Sequence, residues 1–424
     1  MQHTVAKLAS LALLVLCFLI GTGSRSLNFS RSDVLADTLQ ETSTATSWEK
    51  SQVIHSLKPF GEPPSEPFCT GFSITARAFS PDSQTLAVGV HSFVDRRCGG
   101  GKSILTLWNL QTGQRIKTLV EGFADEALLA SAPYREQEPD PATLVGDIAH
   151  ALAFTSDGQT LAAAMSDKTI KVWNGKTGQL IRTLKGHRYA VRAIAISSDG
   201  QTLISGSSDQ TIKQWNLKTG QLIRTFKESQ SVYQLLLSPD GENLVSVTAP
   251  VSYDPSLTVK LWNLKTGQVI RTFSDFPDFS PYPVLSPDGQ TLVTGGNDNS
   301  IRLWNARTGV RMRSLMSHSG PVRRLAISPD GQFLASSSAD GSVKLWNFKT
   351  GQLVRTLPNL GDIYRLAFSS DGRTLAMHDG RGIQLWNWRL PQKIRTIEGT
   401  PDFTFAPNGQ SLLAAHNYRL DVWR

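Results

Sequence analysis

No catalytic signature stands out in the 424 residues. There is no nucleophile elbow, no phosphate-binding glycine loop and no Cys-His pair with supporting context, so the common hydrolytic and nucleotide chemistries have no motif to rest on. The histidines His55, His91, His150, His187, His318, His378 and His416 are scattered at spacings unsuited to a metal site. No metal or cofactor is expected, and the chain reads as a non-enzyme. Cysteine is limited to Cys17, Cys69 and Cys98, which rules out a disulfide-dense framework. Charged residues are only 18 % of the chain, whereas Gly (34) and Pro (21) are plentiful. That balance fits many short strands joined by tight turns.

Long hydrophobic runs are also missing. The one candidate, Leu8 to Ile20, is 13 residues long, short for a membrane span of about 20. Lys7 precedes it and the small residues Gly21 to Ser24 follow, so residues 1–23 read as a signal peptide, with an uncleaved membrane anchor as the other reading. Cys17 follows Leu16 rather than a small residue, which makes it a plain hydrophobe rather than a lipidation site. Either way the body of the chain is expected outside the cytoplasm, secreted or periplasmic, or tethered to a membrane through residues 1–23. Residues 24–47 are Ser/Thr-rich and without apolar periodicity, a linker. The folded domain is expected over 48–424.

What is there is a repeat. Trp-Asn closes an alternating strand at Trp108, Trp173, Trp215, Trp262, Trp304, Trp346 and Trp386, and Trp423 is an eighth equivalent; the spacings are 65, 42, 47, 42, 42, 40 and 37 residues. Within each unit a short apolar strand leads to a Ser-Pro-Asp-Gly turn, as at Ser238 to Gly241, Ser286 to Gly289 and Ser328 to Gly331. Pro presets such a turn and Gly accepts positive φ, so a hairpin follows. The Trp strand then passes through a Lys-Thr-Gly-Gln turn (Lys218, Lys265, Lys349) into a fourth strand. Four antiparallel strands in about 40–45 residues describe a propeller blade.

With these turns and dipeptides the chain resembles the WD40 family, Asn standing for the Asp of the signature pair. The resemblance covers Trp48 to Arg424 and implies an all-β propeller. It also implies a buried network joining a loop His, a turn Asp and the strand Trp. His187, Asp209 and Trp215 fit that pattern, as do His318, Asp340 and Trp346. Asp167 and Asp298 hold the Asp place without the His, and blades lacking these partners are expected to rely on packing. The last unit stops one strand short at Arg424, while Gln52 to Leu57 reads like a fourth strand. Eight four-stranded blades are therefore expected, the last closed by the N-terminal strand, with seven blades as the alternative.

The formal charge of +8 invites a nucleic-acid reading. Much of it recurs at one place in the fourth strands (Lys117, Arg182, Arg224, Arg271, Arg313, Arg355 and Arg395), where charge would guard an open sheet edge. No basic cluster with stacking aromatics is evident, so nucleic acid is not an expected partner.

Naming the strands of a unit a to d, the irregular insertions all fall in b–c and d–a loops, which share one face. They are His91 to Lys102, Val120 to Gly146, Thr248 to Ser256 and Ser274 to Pro283. Varied loops on a repeated scaffold usually carry function. Candidate contacts there are Phe93, Arg96, Arg97, Tyr134, Arg135, Tyr189, Tyr253, Phe279 and Tyr282, residue types that anchor interfaces. Cys69 and Cys98 lie on the same face, where a disulfide could pin the first loop. The expected function is a monomeric extracytoplasmic scaffold for a protein or peptide partner. A propeller hydrolase or small-ligand binder acting at the channel mouth is the alternative.

Overall fold

The computed structural model describes residue 48 and residues 51–59, 71–93, 102–123, 148–249, 258–273, 282–358, 360–400, 402–416 and 419–424. These form 32 strands in eight four-stranded sheets. Seven sheets are sequential meanders, and the eighth has the order Val53–Leu57, Arg419–Trp423, Leu412–His416, Phe403–Phe405. Blade 3 is typical, with strands a (Val191–Ile196), b (Thr202–Ser207), c (Thr211–Asn216) and d (Leu222–Lys227). Blade 1 starts at Gly71 and blade 8 ends at Trp423, so the ring has eight blades rather than seven.

The core is divided among the gaps between blades. One apolar cluster joins Val172 and Leu184 of blade 2 to Val191, Leu203 and Trp215 of blade 3. Another joins Leu57, Leu420 and Val422 of blade 8 to Leu86, Val88 and Trp108 of blade 1, which closes the ring. Both faces of each b strand are covered, so Thr160–Met165 is buried from Leu161 to Met165 and reads Leu-Ala-Ala-Ala-Met instead of alternating. Small residues are needed where blades meet. A Cβ on Gly206 would stand 2.4 Å from Val232 Cγ1 of blade 4.

Closure is a strand pairing between the two ends of the domain. Val53 pairs with Trp423 and Leu57 with Leu420, antiparallel. Gln52 and Arg424 exchange backbone hydrogen bonds of 3.0 and 3.1 Å. No raw edge is left on strand c of blade 8.

The Trp-Asn and Thr-Gly-Gln motifs explain one another. Asn216 Oδ1 accepts the Thr219 amide at 2.8 Å, and the Gly220 amide donates to Asn216 O at 2.8 Å. Gly220 sits at φ +78°, and a Cβ there would lie 2.7 Å from Arg182 Nη1 of the preceding blade. That guanidinium donates to the carbonyls of Lys218 and Thr219. Arg224 reaches Leu264 and Lys265, Arg271 reaches Gly309, and Arg313 reaches Lys349, each one blade on. Arg395 donates to Ser51 O at 2.5 Å, holding the junction of the chain ends. On the closing strand His55 takes the same place, its Nε2 2.9 Å from Leu110 O of blade 1. These side chains therefore staple successive blades rather than guard the open edge. A carbonyl cluster at the end of a turn is the stronger attraction for a guanidinium.

Candidate functional site

Two blades carry the expected polar network, and it runs through a residue that the motif omits. His187 Nδ1 lies 2.9 Å from Asp209 Oδ2, and His187 Nε2 lies 2.7 Å from Ser205 Oγ. Trp215 Nε1 donates to the same Ser205 Oγ at 2.8 Å. Blade 6 repeats this with His318, Asp340, Ser336 and Trp346 at 2.9, 2.8 and 2.9 Å. Burial alone would raise the Asp209 carboxyl, but hydrogen bonds from His187, Thr211 and the Arg188 amide outweigh it and hold the group well below the usual carboxylate range. Asp340 is lowered in the same way by Ser342, the Ser319 amide and His318, again against burial. For His318, burial prevails over the attraction of Asp340 and pushes the imidazole down.

In blades 1, 4 and 5 packing does not act alone, whereas the buried Trp423 Nε1 of blade 8 has no hydrogen-bond partner among the described residues. Glu228 in blade 4 stands 18 residues before Ser246, as His187 does before Ser205. Its Oε1 accepts from Ser246 Oγ at 2.6 Å, Lys260 Nζ lies 2.5 Å from its Oε2, and Trp262 Nε1 donates to Ser246 at 2.9 Å. Glu228 is therefore a substitute for the loop His, paired with a cation because a buried carboxylate needs one. Trp304 donates to Thr294 and Trp108 to Thr106, so the Trp is tied in those blades too. Asp167 and Asp298 cap their turns through Thr169 and Ser300 and pair with Lys171 and Arg302.

The d–a and b–c face was expected to carry the partner contacts. Arg96, Arg97, Tyr134, Arg135, Tyr253 and Phe279 lie outside the described residues, as do Cys69 and Cys98 and the segment 1–47. Phe93 ends the strand Thr85–Phe93. Some insertions begin later than the sequence suggests, because the hairpin of blade 1 extends to a Lys102–Phe123 pair, with Lys102 and Glu121 2.5 Å apart. Tyr189 is exposed (51 %) at the start of blade 3, and Tyr282 is exposed (44 %) before blade 5.

The face has a further feature that the repeat conceals. Strand a begins at this face, and in five blades it carries a bulge in its first half, between Ile74 and Ala76, Ala149 and Ala151, Val191 and Ala193, Val232 and Gln234, and Val322 and Arg324. A bulge turns the extra side chain out of the ladder. It displays Tyr233, 44 % exposed, and Arg323, also exposed. The next register position is Ala in blades 1 to 3 and Gln234 in blade 4, as the strand pairing fixes it. In blades 5 to 8 it becomes Tyr282, Arg324, Arg365 and Asp402. Half of the channel mouth is thus lined by long polar side chains.

Each blade of this arc reaches its neighbour. The Arg324 guanidinium lies over the Tyr282 ring, 3.8 Å from its centroid, and its Nε donates to Tyr364 O at 2.7 Å. Arg365 lies 5.5 Å from the centre of Phe403. Arg77 of blade 1 donates to Asp402 Oδ1 at 3.3 Å and to Phe403 O at 3.1 Å. The exposed Tyr364 ring meets His378 edge-on, and His378 is held between the Gly380 amide and Gly399 O. A basic and aromatic cluster therefore exists after all. It was invisible in the sequence because its members are about 40 residues apart, one per blade.

Below the mouth the channel is apolar, a space of about 720 Å³ walled by residues such as Leu235, Val284, Leu325 and Leu366. Among the described residues no three His, Cys, Asp or Glu side chains converge as metal ligands would.

Residues 151–325 match the family model for the NWD2 C-terminal beta-propeller, and residues 309–347 match that for the WD domain, G-beta repeat. Over 85 residues the chain is 31 % identical to the Notchless protein homolog of Arabidopsis thaliana. That stretch is 20 % of this chain and 18 % of the relative, so the chain spans under a fifth of the relative's length.

Proposed function

We propose that this chain, an eight-bladed propeller of WD40-type repeats, is an extracytoplasmic scaffold that binds a protein or peptide partner through its d–a and b–c face. WD40 propellers generally mediate protein interactions. The observation that carries the choice of face is the contrast between the two ends of the ring. On the a–b and c–d side the turns are short, and their carbonyls are used internally, by the blade-to-blade arginines and by Ser156 and Ser198, which donate to Ser198 O and Pro239 O. On the other side Tyr189, Tyr233, Tyr282 and Tyr364 stand 44–52 % exposed, with Arg324 against Tyr282 and Tyr364. Tyr and Arg bury much area for little lost freedom and dominate interface energetics. The location outside the cytoplasm rests on the signal-like residues 1–23.

Capture from the extracytoplasmic fraction tests both parts. The full chain is compared with a variant in which residues 124–146 become a short Gly/Ser link and Tyr253 and Tyr282 become Ala. A partner held by the parent and lost by the folded variant supports the reading. Identical capture by both proteins, or recovery of the chain only from cytosol, contradicts it.

A further inference from the structure

We infer that the channel mouth holds a carboxylate-binding site, in which Arg324 and Arg365 take an Asp or Glu side chain of an acidic peptide segment. This rests on the scaffold reading and says what the partner presents.

The charge balance of the arc points to an absent anion. Arg324, Arg365 and Arg77 face one carboxylate, Asp402, which pairs with Arg77. Arg324 is engaged by two carbonyls and by the ring and hydroxyl of Tyr282, and no carboxylate among the described residues reaches it or Arg365 within ion-pair distance. Arg365 Nε is buried without a hydrogen-bond partner. Burial, followed by the repulsion of Arg77, pushes this guanidinium down to about 10, with Asp402 opposing and Arg324 adding to the repulsion. Arg324 is also lowered, chiefly by burial. Cations crowded into a half-buried rim are stabilised by an incoming anion, because each guanidinium keeps unused planar donors.

The neighbouring blade supplies the precedent for the ligand. At the same register position Asp402 does for Arg77 what the ligand would do for Arg324 and Arg365. A carboxylate on a short side chain therefore fits this spacing. The exposed rings of Tyr282 and Tyr364 flank the arginines and offer surface to the aliphatic and backbone parts of a peptide. Asymmetry adds to the case: Ala76, Ala151 and Ala193 hold the equivalent places across the mouth, so the charge is confined to one arc.

The test is fluorescence anisotropy of a labelled Gly-Glu-Glu-Glu-Glu-Gly peptide against the full chain, beside the all-Gln counterpart. The Glu peptide should bind about tenfold or more tightly than the Gln peptide, and weaken with salt. Arg324→Gln and Arg365→Gln should each weaken it about tenfold. Arg307→Gln, which removes the same charge from the opposite face, should leave it unchanged. Circular dichroism and melting show that each variant is folded, and Arg324→Gln serves if Arg365→Gln is not. Equal binding of both peptides overturns the inference. So does equal loss in Arg307→Gln, or displacement of the peptide by inorganic phosphate or an oligonucleotide at lower concentration than by unlabelled Glu peptide. If partner capture depends on this face while the Glu peptide does not bind, only the carboxylate site fails. If the peptide binds but nothing is captured through the face, the scaffold reading fails and the site stands.

Discussion

Ser205 Oγ sits between His187 and Trp215, 2.7 Å from His187 Nε2 and 2.8 Å from Trp215 Nε1. One hydroxyl thus connects a d–a loop, strand b and strand c of the same blade. Ser205→Ala strands two buried polar groups and should cost about 1–3 kcal/mol, read from urea unfolding. Ser336→Ala and Ser246→Ala should behave alike in their blades. Ser337 is the contrast: its buried Oγ has no partner, so Ser337→Ala should be neutral or slightly stabilising. Equal costs for Ser336→Ala and Ser337→Ala would contradict the network.

Stability should fall with acid in two steps. The carboxyls of Asp209 and Asp340 are held below their unfolded values, so the unfolded chain binds more protons in acid. Their contribution is present above about pH 4 and is lost as the pH falls through the folded values. His318 is also lowered, so its contribution is complete above the unfolded value of about 6.5 and declines as the pH falls below it. Urea midpoints measured from pH 8 to pH 2 should drop from near pH 6.5 downward and fall further below about pH 4. His318→Gln should flatten the upper part of that curve. A rise in stability on acidification would contradict the assignment.

Two glycines separate backbone strain from blade contact. Gly241 is at φ +70° with open space around its missing Cβ, whereas Gly220, at φ +78°, faces Arg182 at 2.7 Å. Gly241→Ala should cost about 1–2 kcal/mol for the left-handed backbone alone. Gly220→Ala should cost more, and most of the excess should go when Arg182→Ala is added, the remainder coming from Leu184 Cδ2 at 3.2 Å. A double-mutant cycle on urea midpoints reads the difference.

Ring closure depends on the first strand. A chain lacking residues 48–57 exposes the edge of Arg419–Trp423 and loses the Arg395 staple at Ser51. It should self-associate in size-exclusion chromatography. A synthetic peptide of residues 48–57 should restore the monomeric elution volume. A monomeric, equally stable truncated chain would show that blade 8 closes without it.

The blade count and the closing strand were legible because each blade repeats a spoken pattern: Trp-Asn, a positive-φ turn, and a Gln-Val-Ile-His-Ser-Leu segment matching Gln-Leu-Ile-Arg-Thr-Leu. Glu228 was missed because it differs from His in kind, although its 18-residue interval to Ser246 equals that of His187 to Ser205. The arginine staples were misread because a d-strand charge looks alike whether it faces water or the next blade's turn. Arg324, Arg365 and Arg77 were missed for a different reason. Their proximity arises only when the ring closes, and no local window of sequence contains it.

The most direct measurement is photo-crosslinking in cells with a benzoylphenylalanine placed singly at Tyr189, Tyr364, Lys218 or Asp288. Tyr189 and Tyr364 lie at the d–a and b–c face, Lys218 and Asp288 in turns of the opposite face. Discrete protein adducts at the two tyrosine positions and none at the other two are the predicted result. Adducts at Lys218 and Asp288 alone, or equally at all four, would contradict the scaffold account.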